Sequence, residues 1–320
     1  MSFSYLVKRI IQMLLTILVA VTVSFILIRA LPGDPAERFY GDPRIPEEVK
    51  QEIKAAFGLD KPVLIQYLSF LKQFLKGDLG VSYTYNRRVV GVVLERLPWT
   101  LLLTAVPTIL GMITSLSLGV YIGCKRNSFV DKLVRYVAFA LHSVPTFWFA
   151  LLLVLLFSFK LGWFPLQGMI DPSAKGFSSF VSLLRHAFLP WLVIFVVNVP
   201  GFAVYVRNMV ISILNEEFIL TAKAKGLTER QIRKRHILRN ALGPLFSMLT
   251  LRIAGMLGGA VLIETIFSWK GMGLLVLEAS RNSDYPLLQA TIIITIVSII
   301  VANFLADVLQ AAFDPRVRFE

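Results

Sequence analysis

The side chains that most often do acid–base, nucleophilic or metal chemistry are thinly spread here: three His, one Cys and 20 Asp or Glu in 320 residues. The single Cys124 allows no internal disulfide, and no Cys/His cluster has the spacing of a soft-metal site. The phosphate-cradling pattern G-x-x-x-x-G-K-[ST] does not occur, nor do G-x-S-x-G or H-E-x-x-H. The sequence therefore offers no catalytic, cofactor or metal site of these kinds. What stands out instead is charge inside apolar surroundings. Arg252, Glu264 and Asp307 each fall within a long hydrophobic run. A charge at the centre of a bilayer costs at least about 2.5 kcal/mol, so such groups are expected to pair, to reach an interface or to line water. Arg252 is expected to pair with Asp307, to face a pathway, or to snorkel to the nearer interface. Glu264 reads equally as a polar lining at a pathway mouth or as a local helix-to-turn hydrogen-bonding residue.

A second feature carries chemistry of recognition. Residues 217–240, EFILTAKAKGLTERQIRKRHILRN, interrupt the apolar chain, and the surrounding stretch 207–239 holds eight Lys or Arg. Glu216 and Glu217 suit the positive end of a helix dipole, and Gly226 suits a helix stop. Thr228 suits the N-cap of a second helix. The spacing predicts two short helices with a bend. Ala222 and Ala224 make the first slim enough to enter a groove on another protein, with Glu217, Thr221, Lys223 and Gly226 around them. The plainer alternative is a loop that only fixes topology through its positive charge.

The elements that position these residues are set by hydropathy. The chain is 56% hydrophobic, above the usual range for a soluble domain. A helix needs about 20 apolar residues to cross a hydrocarbon core. Windows near 9–31, 99–123, 133–160, 187–210, 244–266 and 286–312 meet that requirement. The expected fold is an all-α polytopic membrane protein with six transmembrane helices in one transmembrane domain over 1–320. The first window follows Lys8 and Arg9 as a signal peptide would, but its apolar run is too long and RALPGDP offers no small-residue cleavage site. It reads as a retained span. Pro145 is expected to kink the third span, and Trp99, Trp148, Trp163, Trp191 and Trp269 to form aromatic belts near span ends.

Net charge is +13, which raises the question of nucleic acid. With a cytoplasmic N-terminus, the inner tails and loops carry sixteen Lys or Arg and the two short outer loops five. That bias places both termini in the cytoplasm and makes most of the basic excess topological. No nucleic-acid partner is expected. Residues 32–98 then form a long extracytoplasmic segment, in which 61–80 has one apolar face able to lie on the membrane or pack on the spans. Residues 211–243 form a cytoplasmic loop between spans four and five. The pairs Gly119/Gly123 and Gly255/Gly259 read as sites of close helix packing.

TAKAKGLTERQIRKRHILRNALGP resembles the cytoplasmic "EAA" loop of binding-protein-dependent ABC importer permeases, in the form used by the dipeptide/oligopeptide/nickel group. LVKRIIQMLLTILVAVTVSFILIRALPGDP resembles that family's first span and exit turn, and LDKPVLIQYLSFLKQFLKGDLGVS the outer segment of the first of its two permease types. ETIFSWKGMG, DYP at 284–286 and FDPR at 313–316 resemble its C-terminal third. Lys270 stands where members usually have Pro, Arg252 where a neutral polar residue is usual, and Gly243 where Leu precedes Pro244.

The resemblance implies a non-enzymatic transport subunit without cofactors in a prokaryotic plasma membrane. It implies a helix ending at Gly226 that docks on an ATPase and transmits its motion. A second, distinct permease, two ATPase subunits and an extracytoplasmic binding protein would complete the machine. Di- or oligopeptides are the implied substrates, with oligosaccharides or nickel chelates as variations. Two rivals from other classes are a stand-alone channel or secondary carrier, and a structural subunit without a pathway. Polar residues recurring inside spans, among them Thr104, Thr114, Asn198 and Thr291, weigh against the latter.

Overall fold

The computed structural model describes residues 3–30, 60–232, 236–237 and 261–313, together with positions 46, 48 and 51. The described chain is helical throughout, apart from turns and one isolated antiparallel bridge between Val81 and Arg88. Helix α1 (Phe3–Ala30) is followed by the short apolar α2 (Val63–Leu75) and the long α3 (Val89–Cys124). Next come α4 (Phe129–Ser143) and α5 (Thr146–Leu153), the latter running on as a π-helical stretch over Val154–Lys160. α6 (Phe177–Leu214), α7 (Glu217–Ala224), α8 (Glu229–Ile232), α9 (Val261–Ile266), α10 (Met272–Arg281) and α11 (Tyr285–Phe313) complete the order.

Four described helices are long and apolar enough to cross a membrane, and the α4–α5 pair makes a fifth if it counts as one span. Most of the expected 244–266 span lies outside the described residues, as do Arg252, Gly255 and Gly259. The expected spans two and four are longer than hydropathy suggested. α3 has 36 residues and α6 has 38, about 54 and 57 Å at 1.5 Å per residue, so both outrun a hydrocarbon core. They tolerate internal prolines (Pro98 and Pro107, Pro190 and Pro200) without a break. Pro145 acts differently. Val144 before it is extended, as sterics before proline favour, and Pro145 becomes the N-cap of α5. The result is a 99° bend rather than a kink.

The core of the bundle is the pairing of α3 with α6. It depends on two glycines. A Cβ on Gly119 would lie 2.5 Å from Val206 Cβ, and one on Gly123 would lie 2.8 Å from Val210 Cβ. The backbones therefore approach as small residues at membrane interfaces allow. α1 runs beside α11, and α2 packs on α1 instead of lying free on a surface. Tyr67 hydroxyl meets Thr22 Oγ1 at 2.7 Å, and Arg29 donates from Nε and Nη2 to Gln66 Oε1 at 2.9 and 2.8 Å.

Candidate functional site

α7 forms from EFILTAKA with Glu217 in its first turn and Lys223 in its last, both favourable to the helix dipole. Gly226 follows at φ +77, a left-handed conformation that glycine adopts without steric cost. Leu227 N–H then reaches back to Ala222 carbonyl at 3.2 Å and Gly226 N–H to Lys223 carbonyl at 2.9 Å, closing the helix end. Thr228 starts α8 reciprocally. Its N–H donates to Gln231 Oε1 at 2.9 Å, and Gln231 N–H donates to Thr228 Oγ1 at 3.4 Å.

α7 has two distinct faces. Ile219 and Ala222, one turn apart, are buried in a cluster with Val120 of α3, Phe202, Val206 and Val210 of α6, and Ile232 and Ile237 beyond the bend. Glu217, Phe218, Leu220, Thr221, Lys223 and Ala224 are exposed, with Leu220 67% exposed. Ala222 is turned toward the bundle, where its small side chain lets α7 settle closely on α3 and α6. Ala224 does face outward, and Leu220 and Phe218 supply apolar surface that sequence reasoning passed over. The helical position of Leu220, on the side away from Ile219 and Ala222, carried that signal; Phe218 precedes Ala222 by one turn and lies against the His236 ring.

Among the intramembrane polar residues, Glu264 is tied both to the turn that follows it and to the distant α3. It is fully buried, with Oε1 accepting from Thr100 Oγ1 at 2.7 Å and Oε2 from Leu274 N–H at 2.9 Å. Met272 N–H in turn donates to Thr100 Oγ1 at 2.7 Å. The GMG turn exists for this contact: a Cβ on Gly271 would lie 2.4 Å from both Glu264 Oε1 and Thr100 Oγ1. Asp307 is held by Arg9 of α1 at 3.0 Å, a pairing the sequence reading did not foresee. Its proposed partner Arg252 lies outside the described residues. The polar side chains inside the spans largely satisfy their own helices: Thr104, Thr114, Asn198 and Thr291 each donate to a carbonyl one turn back.

Three of the five tryptophans are packed inside rather than arrayed as a belt. Trp269 is fully buried and donates from Nε1 to Trp99 carbonyl at 2.9 Å, and half-buried Trp191 donates to Leu102 carbonyl at 3.2 Å. These two indole N–H groups thus find partners inside the bundle, and Trp99 packs edge-on against Trp269. Trp148 and Trp163 remain exposed.

Two charged hubs were also missed. At the end far from α7, Asp284 is fully buried and accepts from Ser82 Oγ at 2.6 Å, Thr84 N–H at 2.9 Å and Leu287 N–H at 3.2 Å. Tyr83, beside it, has its hydroxyl pKa pushed up to about 12 by burial and then by the Asp284 charge, so it stays neutral. Near α7, Asp131 of α4 and Arg207 of α6 form a buried ion pair. Only SFVD, a Ser N-cap three residues before an acid, hinted at the ordered carboxylate.

The family described as "Binding-protein-dependent transport system inner membrane component" matches residues 115–319, and its N-terminal companion matches residues 2–104. The chain belongs to this permease family. It is 35% identical over 318 residues to the oligopeptide transport system permease protein AppB of Bacillus subtilis, with 99% of each chain covered. It is 34% identical to the di/tripeptide transport system permease protein DppB of Pseudomonas aeruginosa, again over 99% of both. The glutathione transport system permease protein GsiC of Escherichia coli K12 is 30% identical over 99% of each. The permease is accordingly a multi-pass inner-membrane transport subunit of an ABC importer. Permeases of this kind work with an ATPase and a substrate-binding protein, and the chemistry of ATP belongs to the ATPase.

Proposed function

We propose that this permease forms half of the translocation pathway for di- and oligopeptides, with α7 as the contact that receives the ATPase stroke. The observation that carries the coupling role is the two-faced α7. Ile219 and Ala222 seat it on α3 and α6, while Leu220, Thr221, Lys223 and Ala224 are exposed at the basic end and Phe218 is exposed beside the His236 ring. A helix anchored by one face and offering the other fits the helix-in-groove mode. Peptides are supported by the named substrates of the relatives.

In this reading the chain has six spans, the fifth of them over residues 244–266, and both termini and residues 211–243 are cytoplasmic. Residues 32–98 face outward, where the binding protein delivers its cargo. A second, distinct permease supplies the other half of the pathway and two ATPase subunits drive it. Closure of the ATPase pair on ATP displaces α7 and biases the spans between inward-open and outward-open states.

The test uses the complete transporter in proteoliposomes with a peptide-loaded binding protein. Leu220→Asp alters only the free face, so the permease should keep its thermal stability while ATPase co-purification and ATP-driven peptide uptake fall at least about tenfold, the loss of one apolar anchor. Uptake by vesicles holding this chain alone, without ATP, would instead establish a stand-alone channel or carrier.

A further inference from the structure

The seat of α7 is also the seat of another element. Val206 and Val210 of α6 contribute to the cluster beneath Ile219 and Ala222. Arg207, between them, turns to α4. Its Nη2 donates to Asp131 Oδ2 at 2.8 Å and its Nε donates to Oδ1. The remaining groups around the pair hold its orientation. Asn127 N–H donates to Asp131 Oδ2 at 2.8 Å, Arg135 Nε lies 3.4 Å from Oδ1, and Arg207 Nη1 donates to Asn208 Oδ1 at 3.0 Å. Asp131 is fully buried and Arg207 nearly so.

Such a pair is weak evidence for stability. Desolvation of two buried charges offsets much of their attraction, and apolar residues of similar volume often hold a fold as well. What a bidentate guanidinium–carboxylate fork adds is fixed relative orientation, resistant to sliding and rotation. The two elements it fixes are informative. On one side is the last part of α6, which ends at Leu214 just before α7. On the other is α4, whose far end is the 99° joint at Val144–Pro145, beyond which α5 packs on α6 and α9. Without the fork, α6 could move at this end while the joint absorbed the displacement.

We propose that Asp131 and Arg207 are positioning residues that carry the displacement of α7 through α4 into the hinged α5. This rests on the reading of α7 as the ATPase contact. α4, α6 and α7 then move as one body at the basic end, and α5 swings at its joint instead of lagging behind.

The experiment uses the complete transporter in vesicles with two variants, Asp131→Asn and the apolar pair Asp131→Leu/Arg207→Met. Both should assemble with the ATPases and retain basal ATP hydrolysis, because α7 is untouched. Peptide taken up per ATP hydrolysed should fall at least about tenfold, within the range of ordinary coupling energies between sites. A second readout places spin labels at Leu18 and Leu152, both exposed, in a Cys124→Ser background. ATP should change the Leu18–Leu152 distance in the parent and leave it fixed in the variants. Unchanged uptake per ATP in the apolar pair overturns the proposal. So does uptake that falls only in step with the amount of assembled complex, including no assembly of either variant, since the pair would then be structural. Failure of the parent itself to couple ATP to uptake would count against α7 as the ATPase contact and not against the fork.

Discussion

Several buried polar groups in this permease find partners far away in sequence, and Glu264 makes the consequence concrete. Its two carboxylate oxygens serve Thr100 of α3 and the backbone at the start of α10, and the closeness of Gly271 leaves no room for a methyl group. Gly271→Ala should therefore displace Glu264 or Thr100, costing roughly 1–3 kcal/mol through overpacking and lost hydrogen bonds. Thermal unfolding of the detergent-solubilised protein should shift downward, and a change of less than one degree would show that the turn relaxes freely. The carboxylate could be singled out in the sequence because acids are rare in apolar runs. Its partners could not, since Thr100 lies 164 residues away and is one hydroxyl among many. Arg9, which meets Asp307, was likewise assigned to topology because its position before the first span already explained it.

At the scale of elements, close contact between α3 and α6 is what gives α7 its platform. Gly119→Val should force the helices apart, since even a Cβ there overlaps Val206 and the Ala203 carbonyl. The expected result is a loss of roughly 1–3 kcal/mol in stability, seen as lower yield of folded protein. Val206→Ala in the same chain should recover only part of it, because the Ala203 backbone cannot be trimmed. Full recovery would place the contact on the side chain alone. The short helices of the loop were legible because caps are local: Glu217, Gly226 and Thr228 act on backbone groups within a few residues. The direction in which α7 faces was not, for an eight-residue helix with mixed composition has no strong apolar stripe until its neighbours are known.

Over the whole molecule, two buried carboxylates hold opposite ends. Asp131 serves the end that bears α7, while Asp284 ties the 82–84 turn to the start of α11. The ends are separated by most of the length of α3, so they should respond independently. Asp284→Ala leaves three donors without their acceptor, a loss of at least about 2 kcal/mol. It should expose the 76–88 region to protease while ATPase co-purification stays within about twofold of the parent, as expected for uncoupled sites. Parallel loss of both would mean that the bundle unfolds as one unit.

The sequence alone settled that the chain enters the membrane repeatedly, that it carries no phosphate-binding loop, and that its motifs follow the order of an ABC importer permease. Each of these is written in runs of adjacent residues, because hydropathy, capping and loop chemistry act over a turn or two of helix. Only the tertiary structure decided that Ala222 faces inward, that Trp269 and Trp99 are packed together, that Pro145 makes a joint, and that Asp131 meets Arg207. Those outcomes depend on which helices are neighbours. That choice is made by packing between segments far apart in sequence, where glycines permit approach and a buried charge must find its partner.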